Sequence, residues 1–164
     1  MKEKRIILVR HGKSSWEFDL PDFDRPLKKR GISDANIIAG NFKKYNYKVD
    51  KVFSSSANRA FTTCKIFQKT LGWSNTIIEK HYTLYDFAGE KLIKFISKID
   101  NELDTVVIFG HNYAFTSIAN LYGDSFIDNV PTSGLVVLKF NLLSWEYVKH
   151  GQTELIMFPR DYRI

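Results

Sequence analysis

The sequence is short of the residues that staple small extracellular or metal-built domains. It has one cysteine, Cys64, in 164 residues. That excludes an intrachain disulfide framework and any multi-cysteine zinc or iron–sulfur site. It also lacks any apolar run approaching the roughly 18–20 residues of a membrane span. The start, Met1-Lys2-Glu3-Lys4-Arg5, carries signal-like charge, but the apolar stretch behind it runs only from Ile6 to Val9 before Arg10 and His11 end it. A signal core needs about 7–15 residues. Without an export signal or disulfides, the expected compartment is the cytoplasm. Internal repeats, low-complexity segments and interdomain linkers are absent too.

What remains fits one globular unit spanning 1–164. The chain is 44% hydrophobic and 26% charged, with aromatics at 15%. That composition excludes wholesale disorder and supports one sizeable core. Lysine plus arginine exceeds aspartate plus glutamate by 24 to 18, a formal charge of +6. Such a balance suits anionic partners, or simply a solvated surface. The lysines are scattered, and no motif points to a sequence-specific nucleic-acid reader.

Apolar β-branched runs alternate with helix-period segments. Strands are expected at 5–9, 49–53, 76–79, 105–109, 135–140 and 154–158, with Glu146-Tyr147-Val148 pairing nearby. Helices are expected at 34–45, 57–71, 90–103 and 112–122, the second stopped by Gly72. The alternation predicts an α/β fold, a mostly parallel sheet with helices on both faces and an antiparallel edge made by the closing strands. Ligands of such sheets bind beyond the carboxyl ends of the strands.

The chemistry-bearing residues fall at those ends. The first strand runs into Arg10-His11-Gly12 and the strand at 105–109 into Gly110-His111-Asn112. The strand at 49–53 leads through Ser54-Ser55-Ser56 to Arg59 at a helix start. Two of the four histidines are thereby aimed at one crevice with two arginines. A neutral imidazole is a good nucleophile and leaving group for phosphorus. Guanidinium forks match phosphate oxygens, and a second histidine adds a donor to developing charge. The pattern suggests phosphoryl transfer through a phosphohistidine, with no metal or other cofactor required. Cys64 does not support a cysteine phosphatase, because the residue six positions on is Thr70 rather than arginine. Asp22-Phe23-Asp24 has no buried strand before it, unlike an aspartyl-phosphate loop.

As an ordered set, Arg10-His11-Gly12, Ser-Ser-x-x-x-Arg ending at Arg59, and Gly110-His111-Asn112 resemble the histidine phosphatase (phosphoglycerate mutase-like) superfamily. The short length resembles its SixA-type phosphohistidine phosphatase branch. So do Lys13-Ser14-Ser15-Trp16, Asp22-Phe23-Asp24-Arg25-Pro26-Leu27 with Lys29-Arg30-Gly31, and Asn129-Val130-Pro131-Thr132-Ser133-Gly134. The resemblance implies a single-domain three-layer α/β sandwich. It implies His11 as nucleophile and Arg10, Arg59 and His111 as the phosphate clamp. Relatives often carry a general acid after Leu-x-Glu, and Leu84-Tyr85-Asp86 offers Asp86 there, with Glu90 a weaker candidate. Arg25 is a candidate third cation at the pocket rim. Trp16 and Phe18 are candidates to line the entrance, Asn112 to orient His111 or cap the next helix. His81 and His150 read as structural or surface residues. The expected substrate is phosphohistidine on a protein. The alternatives are a small phosphorylated metabolite or a non-catalytic phosphate-binding module. A mutase fits less well, since the family's mutases are longer.

Overall fold

A computed structural model describes residues 1–164. Six strands form one sheet: β1 (Lys2–Arg10), β2 (Lys51–Ser55), β3 (Ile78–His81), β4 (Thr105–Gly110), β5 (Leu135–Leu142) and β6 (Gln152–Met157). Their order is β3-β2-β4-β1-β5-β6. The first four strands in that order are parallel, while β5 runs against both β1 and β6 and makes the antiparallel side. Four helices cover the faces: α1 (Lys29–Lys43), α2 (Asn58–Leu71), α3 (Glu90–Ser97) and α4 (Ala114–Tyr122). No helix is long and apolar enough to cross a membrane.

Period-two alternation divides each central strand between two cores. Ile6 and Leu8 of β1, Val106 and Ile108 of β4, and Val136 and Leu138 of β5 face α3 and α4. Ile7, Val9, Val107, Phe109, Leu135 and Val137 face α1 and α2. Both faces are covered, so these strands read as unbroken apolar runs.

The connections set the site. The chain leaves β1 for α1 on one face and leaves β4 for α4 on the other. The two strands are adjacent, so their carboxyl ends diverge and open a crevice, the switch point where such sheets take ligands. Register does the rest. Arg10 lies opposite Gly110, and His11 N donates to Gly110 O at 3.1 Å, which sets His11 beside His111.

Element ends shift by one to three residues, so that the strand expected at 76–79 runs over Ile78–His81; three larger differences stand out. Helix α1 begins at Lys29 rather than residue 34, because Gly31 works there as a contact point. A Cβ on Gly12 would lie 2.8 Å from the Gly31 carbonyl oxygen, so the two glycines let the backbone after β1 pass against the first turn of α1. Helix α3 ends at Ser97 and a turn carries the chain to β4. Residues 145–147 form a 3₁₀ turn instead of a pairing strand. Ser144 Oγ caps that turn by accepting from Glu146 N at 3.1 Å, and Trp145 is buried under it.

Candidate active site

His11 lies at the carboxyl end of β1 and is 7% exposed. Its Nδ1 is 2.7 Å from Gly12 O. A carbonyl only accepts, so Nδ1 carries the proton and Nε2 keeps its lone pair. Arg59, in the first turn of α2, donates from Nε to that Nε2 at 3.3 Å. Burial, with the charges of Arg59, Arg10 and Arg25, pushes the His11 pKa down to about 3, although the Gly12 carbonyl opposes the shift. At neutral pH the site therefore holds an uncharged imidazole facing a guanidinium.

The His111 ring sits 5.3 Å from that of His11 and is fully buried. Its Nε2 is 2.8 Å from Ser55 Oγ at the end of β2. Ser55 Oγ also accepts from Ala57 N, and its hydroxyl proton can be given to His111 Nε2; in that tautomer the ring proton is on Nδ1. Burial pushes the His111 pKa down to about 2, helped by His11 and the arginines. Three buried polar atoms have no partner in the protein: His111 Nδ1, Arg10 Nε and Ser133 Oγ. Buried groups of this kind are rarely left unpaired without a role. Two of them belong to the expected phosphate clamp. Ser133 is tied to the same strand end, its N–H donating to Arg10 O and His11 O at 3.1 and 3.0 Å. Arg10 anchors through Nη1 on Val130 O at 2.9 Å, and burial lowers its pKa.

Asp22 is the residue the sequence reading passed over. Its carboxylate binds Arg59 Nη2 at 2.9 Å and Arg25 Nε at 3.1 Å. Its backbone oxygen takes Arg59 Nη1 at 2.6 Å, and the Tyr85 hydroxyl donates to the same carboxylate. Burial alone would raise its pKa, but Tyr85 and the two arginines hold it down at about 2. Asp22 thus fixes the Arg59 fork, while the Tyr85 ring packs edge-on to His111 at 5.2 Å. The only signal in sequence was position: Asp22 precedes Arg25-Pro26-Leu27 in the motif. Its partners Arg59 and Tyr85 are 37 and 63 residues away. Thr63 was missed for a similar reason; its Oγ1 accepts from Gly12 N at 2.9 Å.

Arg25, the candidate third cation, is engaged on several sides. It is buried, with Nη1 on Ser14 Oγ and Ser15 O and its guanidinium carbon 3.6 Å from the centre of the Trp16 ring. These bonds lock the loop over residues 14–25, and its influence on His11 is through charge. Asp86 Oδ2 accepts from Gly89 N and Leu92 N at 3.1 and 3.0 Å, which anchors the start of α3. Its neighbours Tyr85 and Phe87 both pack on His111. Glu90 is exposed in the first turn of α3. Asn112 Oδ1 takes Thr116 N in the first turn of α4 at 3.1 Å, from one residue before the N-cap position, which Tyr113 holds. Trp16 and Phe18 are exposed. Cys64 faces the core, and burial pushes its thiol up to about 12.

Residues 6–85 match the family model for the histidine phosphatase superfamily, branch 1. An uncharacterized chloroplastic protein of Arabidopsis thaliana is 30% identical over 152 residues, covering 87% of this chain and 69% of its own. The chain belongs to the histidine phosphatase superfamily. It falls on the SixA-type branch. The crystal structure from Agrobacterium tumefaciens assigned as phosphohistidine phosphatase SixA is 27% identical, with a TM-score of 0.73 over 86% of this chain and 96% of that one. A protein histidine phosphatase SixA complexed with tungstate shares the fold at a TM-score of 0.81 and 19% identity, over 97% and 99% of the two chains. Phosphoglycerate mutases also match, over half of this chain or less and at most 40% of their own lengths. The family match spans Arg10, His11, Asp22, Arg25 and Arg59. His111 lies beyond it and joins the site through the β1–β4 register.

The two site histidines tie this phosphatase fold to pH. Each has a folded pKa far below its ordinary 6.5, so the unfolded chain binds more protons below that value. Stability is then fully present above pH 6.5 and is lost as pH falls. Going from pH 6.5 to 5.5 should cost about 1 kcal/mol per histidine, about 2 kcal/mol together. Urea unfolding at the two pH values checks this. A flat profile would mean that the pair is protonated in the folded protein.

Proposed function

We propose that the protein is a metal-independent phosphohistidine phosphatase that removes phosphate from phosphohistidine on a protein, acting through His11. The observation that carries this reading is the His11 imidazole, held with its Nδ1–H on Gly12 O and its unprotonated Nε2 facing Arg59 Nε, which donates to it at 3.3 Å. Nε2 attacks phosphorus while the bond from phosphorus to the substrate's imidazole nitrogen breaks. The leaving nitrogen takes a proton, and the phosphoryl group rests on His11. Water then attacks phosphorus, the bond to Nε2 breaks, and inorganic phosphate leaves with His11 restored. Arg10, Arg59 and the Nδ1–H of His111 meet the charge on the transferred oxygens. The positive charge comes from the chain itself, so activity should persist in EDTA.

Likeness to the SixA phosphatases supports a phosphohistidine substrate. Exposed Trp16, Phe18, Tyr82 and Tyr113 stand on or beside the segments that carry the site, a setting suited to a protein surface. A small phosphomonoester is the rival, in keeping with the mutases that match part of the chain. A side-by-side comparison of kcat/KM on a phosphohistidine protein and on a panel of phosphorylated metabolites decides between them. Higher kcat/KM on a metabolite would overturn the protein-substrate reading. A binding module would turn over neither substrate.

Asp86→Asn sharpens the comparison, because an amide oxygen can still accept from Gly89 and Leu92. An alkoxide leaving from a phosphate ester needs a proton, and general acid help there is typically worth about 10²–10⁴-fold. The imidazole of phosphohistidine can be protonated on its own ring near neutral pH. The substitution should slow alkyl phosphates by that order and phosphohistidine far less. Unchanged rates on both would restrict Asp86 to anchoring α3.

A further inference from the structure

A cavity of about 600 Å³ lies away from the catalytic crevice, between α3 and the β2–β3 side of the sheet. Its floor is apolar: Phe53, Phe95, Ile99 and Leu103. Its wall is a row of lysines, Lys91, Lys94 and Lys98, which share one helix face by their three- and four-residue spacing. All three are exposed, and none has an ion-pair partner within the protein. On the opposite wall the Glu79 carboxylate is already matched by Lys51 at 2.6 Å and approached by His81 at 3.0 Å. Asp100 is the lining's other carboxylate, and it accepts from the backbone N–H of Glu102. The groove therefore carries uncompensated positive charge over an apolar floor.

Its position ties it to the site. Lys91 lies one residue into α3, the helix whose amino end is anchored by Asp86. The lining also includes Thr83, two residues from Tyr85, which touches both Asp22 and His111. From Lys91 to Lys98, the residue that closes α3, the chain rises roughly 10 Å, room for about three extended residues. We infer that this groove docks an acidic segment with an apolar anchor, borne by the phosphohistidine protein itself. The lysine row draws in the acids and the Phe53–Phe95 floor takes the anchor. The inference rests on the protein-substrate reading above and adds what the substrate must look like.

The test uses phosphohistidine peptides of equal length whose flanks carry glutamates with one phenylalanine, or serines only. Wild type should favour the acidic peptide by about tenfold in kcat/KM, through KM, and the preference should shrink with salt. The exposed-residue variant K91E/K94E/K98E should lose the preference and keep its rate on p-nitrophenyl phosphate. Equal kcat/KM for the two peptides in wild type would overturn the inference, as would a preference that survives in the variant. If p-nitrophenyl phosphate is hydrolysed but neither peptide is, the protein-substrate reading fails. The groove is then judged by fluorescence anisotropy of a labelled, unphosphorylated acidic peptide. Binding lost in K91E/K94E/K98E supports the groove, and no binding sinks it. An oligouridylate that binds the same lysines more tightly than the peptide would assign the groove to nucleic acid instead.

Discussion

His11→Ala is expected to leave almost no turnover of either p-nitrophenyl phosphate or a phosphohistidine protein. The loss should be on the order of 10⁴–10⁶-fold, the scale on which removal of a nucleophile is felt. The reason is geometric. Nδ1 is fixed on Gly12 O, so Nε2 is the nitrogen presented to substrate, and the folded pKa of about 3 keeps it unprotonated across the useful pH range. His111 cannot stand in, because its Nε2 is committed to Ser55. The variant removes a buried ring, so its folding should be checked by circular dichroism and thermal unfolding. A well-folded His11→Ala protein with a tenth of the wild-type rate would show that the nucleophile lies elsewhere.

The second large effect is expected at the two clamp arginines. Arg10→Ala and Arg59→Ala should each lose about 2.7–4 kcal/mol of transition-state stabilisation, roughly 10²–10³-fold in kcat. They should differ in stability. Arg10 is held by one backbone carbonyl, Val130 O. Arg59 spreads Nε, Nη1 and Nη2 over His11 and Asp22, so its removal strands the Asp22 carboxylate and loosens the loop over residues 14–25. Thermal unfolding should register Arg59→Ala and barely register Arg10→Ala. Arg59→Lys should rescue poorly, because a point charge cannot hold His11 and Asp22 at once. A lysine variant at near wild-type rate would show that charge suffices and the fork does not matter.

The contrast between the clamp and its supports shows where sequence becomes opaque. Arg10, His11 and His111 were readable because each follows a strand whose burial on both faces makes it an unbroken apolar run. Parallel pairing then brings the strand ends together without further information. Arg59 was readable from its place at a helix start after another such strand. The Asp22–Tyr85–Arg59 linkage was not, since it joins a loop, a helix and a 3₁₀ turn distant in sequence, and no local pattern encodes that meeting. Arg25 was legible as a cation near the pocket, but sequence does not show that Ser14, Ser15, Asp22 and Trp16 enclose it. Gly31 hid the start of α1 because a glycine in a helix reads as a break when it is needed for close approach. The 3₁₀ turn at Trp145 hid similarly, since Trp145 is buried by tertiary packing rather than by strand periodicity.

The central claim is that phosphate passes through His11, and a rapid-quench experiment tests it most directly. Wild-type protein is mixed briefly with a radiolabelled phosphohistidine protein, quenched in alkali, digested and mapped by mass spectrometry. An acid-labile, alkali-stable adduct on the peptide containing His11, formed and consumed at rates compatible with turnover, is the expected result. Turnover with no trapped adduct at any quench time, or label on His111, Asp22 or Cys64, would contradict it.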